Sequence, residues 1–238
     1  HMTANRKFFD TSLRYIRPQA PVLREIYAVG VPAVLMQALM SFMNYGVNII
    51  LGSLSASVVT AYGIYYKIQQ FVFFAGFGMN NAMVLIIAYN FGRRDKKRVT
   101  SAVRCGMAYT LVLMAVGAVC LQVFAPQLIG IFAVSEASQR LCLRAIRIIT
   151  FSYLFAGANI AFQGIFQAFG YGVHSLITSL LRLIVVTLPL AWLLTLLPQA
   201  EQAVWFAFPA AEVIAFAASL LMLARLRPRI NAFMAPPT

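Results

Sequence analysis

Apolar residues along the chain gather into six long runs, near 26–51, 58–90, 100–124, 143–168, 174–197 and 203–224, separated by short polar stretches. Runs of this length match the roughly 20 helical residues needed to cross about 30 Å of hydrocarbon. The pattern predicts an all-α, polytopic membrane protein of six transmembrane helices. The first two runs exceed the minimum, so they are expected to tilt, kink or extend into the headgroups. Pro32 and the Gly76/Gly78 pair supply places to bend. The expected organisation is a tag remnant (His1-Met2) with a basic segment over 1–21, the helical lobe over 22–226 and a tail over 227–238.

Composition strengthens this reading. Charged residues make up 11% of the chain and apolar ones 61%, with a mean hydropathy of +0.80, against roughly 25% charged and 45–50% apolar in soluble domains. The net charge of +13 would suit nucleic acid only if the basic residues formed a patch on a water-soluble face. They fall instead between the apolar runs, so the expected environment is a lipid bilayer and no nucleic-acid partner is expected.

Their placement carries topology. Arg6, Lys7, Arg14, Arg17 and Arg24 precede the first helix, Arg93, Arg94, Lys96, Lys97 and Arg98 join the second to the third, and Arg225, Arg227 and Arg229 follow the sixth. The alternate connections are nearly free of positive charge, and the positive-inside rule then puts both termini in the cytoplasm. Arg140, Arg144 and Arg147 break the scheme at the outer start of the fourth helix, at i, i+4 and i+7, hence on one face. Their arginines either snorkel towards headgroups or line an aqueous vestibule. Cys105, Cys120 and Cys142 have no metal-type spacing, so no metal site is expected.

Polar side chains inside spans are costly and usually face the bundle interior or a wet cavity. Gln37, Ser41, Asn44 and Asn48 form one stripe on the first helix; Lys67, Gln70, Phe74 and Asn81 form one on the second, with Tyr66 nearby; Ser152, Asn159, Gln163 and Gln167 mark one side of the fourth. These amides either bond helix to helix or line a cavity for substrate, where neighbouring aromatic faces suit flat or cationic molecules. Glu212 is the one carboxylate placed deep inside a span, and Lys67 or Arg182 is its expected partner, in an ion pair that is either fixed or responsive to protonation and conformation.

The assembled residues resemble a family. Glu25-Ile26-Tyr27, Gly30-Val31-Pro32 with Gln37, the run Tyr62-Gly63-Ile64-Tyr65-Tyr66-Lys67-Ile68-Gln69-Gln70-Phe71, Gly78-Met79-Asn80-Asn81, Ala88-Tyr89-Asn90-Phe91-Gly92, and Phe166-Gln167-Ala168-Phe169-Gly170 followed by Ser179 and Arg182 are similar to the second-half signature of bacterial multidrug and toxic compound extrusion (MATE) transporters. Leu85 stands where that pattern carries proline, and Tyr171 and His174 depart from it. The resemblance implies one six-helix lobe of a secondary antiporter in the bacterial inner membrane. It implies export of small cationic amphipathic compounds in exchange for sodium ions or protons, with no bound cofactor. The second lobe would be a second copy of the chain or a separate N-terminal lobe.

Two other readings compete with the antiporter: a lipid-linked saccharide flippase of the same superfamily, which would want several cations in its cavity for phosphate, and a scaffold subunit that transports nothing. With no HExxH, GxSxG or intramembrane acidic pair to activate water or a nucleophile, no enzyme is expected.

Overall fold

The computed structural model describes residues 19–235, except for a few side chains in the first helix, among them those of Glu25, Pro32 and Gln37. The tag remnant and most of the basic N-terminal segment lie outside the described residues. Within them are six rods long and apolar enough to cross a membrane. These are α1 (Ala20–Gly52), α2 (Ala56–Gly92), α3 (Lys96–Gly130), and α4 (Glu136–Ala168), α5 (Gly172–Thr195) and α6 (Ala200–Phe233). Except for α5, the helices run further than the apolar runs that predict them. α4 begins at Glu136 rather than near 143, so the three arginines occupy its first turns, and α6 continues to Phe233 through Pro228.

Short connections force sequential helices to run antiparallel. Each new helix opens on a side-chain cap where the sequence offers one: the Ser55 hydroxyl accepts from the Val58 amide at 3.4 Å, the Asp95 carboxylate from Arg98 at 3.0 Å, and the Ser135 hydroxyl from Ser138 at 3.4 Å. The α4–α5 turn closes on Gly170, whose φ of +81° is open to glycine and strained for other residues. There the Tyr171 amide donates to the Phe166 carbonyl at 2.8 Å and the Gly170 amide to Gln167 at 3.0 Å, which satisfies the end of α4.

α4 is the central helix, with 56% of its apolar window buried, against 17% for α3 and 22% for α2. Its small residues explain why. At Gly164 an added Cβ would collide with the Asn80 side chain and lie 3.1 Å from Val84, so the α2 and α4 backbones approach closely only because no side chain intervenes. Around α4 lie two clusters of buried residues. One holds Val47, Leu51, Tyr62, Tyr65, Met114, Ile146, Tyr153 and Trp205; the other holds Ile87, Phe162, Ile165, Phe166 and Leu226 towards the opposite end of the bundle. Large apolar side chains also cover the outside, among them Phe71 (80% exposed), Phe151 (78%) and Leu85 (73%). A lobe whose solvent is hydrocarbon can present such a surface, because every backbone group is satisfied inside its own helix.

A Gly164→Val substitution overpacks this contact, and overpacking costs about 1–3 kcal/mol. It should lower the apparent melting temperature in detergent, whereas Gly63→Ala, where nothing lies within 4 Å of the added methyl, should not. Equal melting of both variants would dismiss the close approach as a constraint.

Candidate functional site

The carboxylate of Glu212 on α6 meets the guanidinium of Arg182 on α5, Nη1 to Oε1 at 3.2 Å, with only 7% of the arginine side chain and 14% of the glutamate side chain exposed. Asn159 on α4 completes the clamp: its Nδ2 donates to Glu212 Oε2 at 2.8 Å and to the Glu212 carbonyl at 3.0 Å. Two charges removed from water are tolerated only when paired and hydrogen-bonded, and in hydrocarbon that demand is stricter.

Local structure aims Arg182. It lies in a π turn, Leu181–Val186, inside α5. Pro189 follows and has no amide to donate to the preceding turn, and the Thr187 hydroxyl reaches back to the Arg182 carbonyl at 2.6 Å. The wider turn shifts the helix face after Arg182 and marks the place where the regular ladder is interrupted.

Two cavities meet at this pair. One, of about 60 Å³, is lined by Met43 of α1, by Tyr65, Tyr66, Gln69, Gln70 and Phe73 of α2, by Tyr153 of α4, by Thr187 of α5 and by Glu212. The second, of about 190 Å³, is lined by Met36, Phe77, Asn80, Asn81, Gln163, Gln167 and Ser179. Arg182, Met40 and Leu183 belong to both walls. Since α2 places residues 65–73 in the first and 77–81 in the second, the cavities lie at different depths, roughly 15 Å apart at 1.5 Å per residue. The second is nearer the end that carries the Arg93–Asp95 connection and the Gly170 turn, hereafter the basic end.

The predicted site residues divide accordingly. Tyr66, Gln70, Asn81, Asn159, Gln163, Glu212 and Arg182 come together at this site, and Asn159 Nδ2 and Gln163 Nε2 both find partners across helices. Asn44 and Asn48 do not line either cavity; the Asn48 amide spends itself on Asn44, at 2.7 Å to its side-chain oxygen and 2.8 Å to its carbonyl. Phe74 is 65% exposed, and Lys67 is exposed and makes no ion pair with Glu212, which pairs with Arg182. Equal depth suggested Lys67 as a partner, but depth leaves rotation open, and the packing of Ile64 and Ile68 into the core turns Lys67 away. The side chain of Gln37 lies outside the described residues. Arg140, Arg144 and Arg147 are exposed along one face of α4 and are absent from both cavity walls.

Sequence reasoning passed over Tyr65 and Tyr153, whose hydroxyls stand 3.5 Å apart beneath the first cavity. It also passed over Ser175, which accepts from Gln167 Nε2 at 3.2 Å. A signal was present in the spacing of Ser175, Ser179 and Arg182 at i, i+4 and i+7, the same helical face as the predicted arginine.

The MatE family model matches residues 32–193, and the chain belongs to that family. Multidrug export protein MepA of Staphylococcus saprophyticus is 31% identical over 220 residues, which are 92% of this chain and 48% of that protein. MepA of Staphylococcus aureus is 25% identical over 227 residues, 95% of this chain and 50% of the relative. Among solved structures, an outward-facing multidrug resistance MATE family transporter of the MOP superfamily aligns with a TM-score of 0.84 at 20% identity, covering 98% of this chain and 52% of that one. A MOP superfamily transporter from Pyrococcus furiosus aligns with 0.83 at 21%, covering 96% and 51%. The fold is thus that of a MATE lobe in a multi-pass membrane protein, and the chain spans about half the length of the relatives it matches.

Removing one partner of a buried ion pair costs about 3–5 kcal/mol. Arg182→Met should therefore melt well below the wild type in detergent, and the double variant Arg182→Met/Glu212→Gln should recover most of the loss. Wild-type stability in the single variant would mean that the pair carries no structural weight.

Proposed function

We propose that this chain is one lobe of a secondary active multidrug exporter of the inner membrane, with both termini cytoplasmic. It expels cationic amphipathic compounds in exchange for inward movement of a proton on Glu212. The observation that carries the reading is the single carboxylate buried among the described spans, clamped by Arg182 and Asn159 where two cavities meet. Membership of the MatE family supports a transporter reading, and the relatives are multidrug export proteins.

Arg182 favours a proton over a sodium ion. A metal ion seeking Glu212 would meet a guanidinium already 3.2 Å from the carboxylate, and like charges at such a distance repel strongly in a low dielectric. A proton neutralises the carboxylate without needing a shell of oxygen ligands. The same neutralisation counts against a lipid-linked saccharide as cargo. Among the described residues Arg182 is the only cation lining either cavity, and its charge is already matched by Glu212, so none of these is left over for phosphate. Aromatic side chains of the first cavity, Tyr65, Tyr66, Phe73 and Tyr153, offer faces to an organic cation instead.

Alternating access needs a second lobe across the substrate cleft, supplied by another copy of this chain or by a separate N-terminal lobe. Proteoliposomes carrying the chain and loaded with ethidium should release the dye when a proton gradient is imposed, and Glu212→Gln should release it no faster than empty vesicles. Wild-type efflux from the Glu212→Gln protein would remove Glu212 from coupling. Gradient-driven efflux that follows sodium and ignores protons would remove the proton.

A further inference from the structure

The bonds from α4 to its neighbours, to α6 at the ion pair and to α5 beyond it, form a ladder. Gln167 Nε2 donates to Ser175 Oγ at 3.2 Å, Gln163 Nε2 to Ser179 Oγ at 2.8 Å, and Asn159 Nδ2 to Glu212 at 2.8 Å. The amides are four residues apart on α4, so each rung stands one helical turn, roughly 5–6 Å, deeper than the one before. The lowest rung is three residues from the Gly170 turn at the basic end of the bundle. Gln167, Gln163 and Ser179 of these rungs line the larger cavity, where Asn80 presents a buried side-chain oxygen with no partner among the described residues. At about 190 Å³ this cavity is polar and roomy enough for several waters, since one water needs about 10–15 Å³ by the same measure. The smaller cavity, at about 60 Å³, holds a few more, and Glu212 opens onto it.

We propose that the lobe contains its own two-part proton path, with Arg182 as the divider and the Gln167–Ser175 and Gln163–Ser179 rungs as the branch leading to the basic end. It rests on the reading of Glu212 as the coupling group. A proton from water in the smaller cavity binds a Glu212 oxygen and neutralises it. The Arg182 guanidinium, no longer held by a carboxylate, turns to the amide oxygens and the Asn80 oxygen of the larger cavity, and the Glu212 proton passes to water there. The carboxylate regenerated by that loss draws Arg182 back and closes the cycle. Besides Arg182 from α5, the ionisable groups facing Glu212 around the smaller cavity are the phenols of Tyr65 and Tyr66 from α2 and of Tyr153 from α4, while α1 contributes methionines. Among the described residues Arg182 is therefore the only charged group there to answer a change in the carboxylate. Because the Arg182 side chain contributes to both cavity walls, a single rotation suffices to close one branch and open the other.

Single-cysteine variants test the path without requiring transport. In a background of Cys105→Ser, Cys120→Ser and Cys142→Ala, Gln167→Cys and Ser179→Cys report on the larger cavity, and Gln69→Cys and Gln70→Cys on the smaller. The probe is a trimethylammonium methanethiosulfonate, which does not cross the bilayer, applied to right-side-out and inverted membrane vesicles. The larger-cavity cysteines should react at least tenfold faster from the face of the basic end and the smaller-cavity ones from the other face. Val116→Cys, on the lipid-exposed side of α3, should react from neither. Labelling of both sets from one face, or of neither in variants that elute as folded protein, overturns the two-part path. Infrared difference spectra between wild type and Glu212→Gln at low pH form the second arm. A protonated-carboxyl band present only in the wild type, with one-sided labelling, leaves the coupling role standing and sinks the path. Absence of that band sinks the coupling role, and the path with it, whatever the labelling.

Discussion

A carboxylate inside a bilayer has to be neutralised, and in this lobe the neutralising group is a guanidinium on the neighbouring helix. The Arg182–Glu212 contact at 3.2 Å ties α5 to α6, and Asn159 brings α4 into the same junction. Isolated, either charge would cost several kcal/mol to bury, so the three helices are obliged to pack at one height and one rotation. The rest of the bundle accommodates that demand. The π turn before Pro189 redirects α5, and small residues let α4 lie at the centre, where its amides reach both neighbours.

The same contact also explains why the interior is not a single void. Arg182, Met40 and Leu183 form a partition between the smaller, more aromatic cavity and the larger, amide-rich one. Apolar clusters flank the partition at either end of the bundle, and packing at close to crystal density leaves few other places for water to enter. A partition made of an ion pair differs from one made of leucines, because its strength depends on whether the carboxylate carries its charge.

Membership of the MatE family and the likeness to MATE structures give this arrangement its context. Exposed side chains such as Phe42, Phe71 and Phe74 on α1 and α2 are compatible with lipid or with an opposing lobe, both of which are apolar neighbours. The arginines at the start of α4 are exposed and stand apart from both cavity walls.

The six spans, their order and the depth of Glu212 were legible in the chain, because hydrophobic length and the position of a residue along a helix depend only on local sequence and helical rise. The family was legible too, in runs such as Tyr62 to Phe71. Rotation was the part that sequence left open. By depth Lys67 matched Glu212 and Arg182 came second, and Asn48 and Asn159 were equally admissible as cavity amides. Only packing decided that Ile64 and Ile68 face inward and carry Lys67 to the outside, that Asn48 bonds back to Asn44 within its own helix, and that a π turn aims Arg182 at the carboxylate. Helical periodicity groups residues onto a face; which neighbour that face meets is a property of the assembled bundle, where the burial of side chains far apart in sequence sets every helix's angle at once.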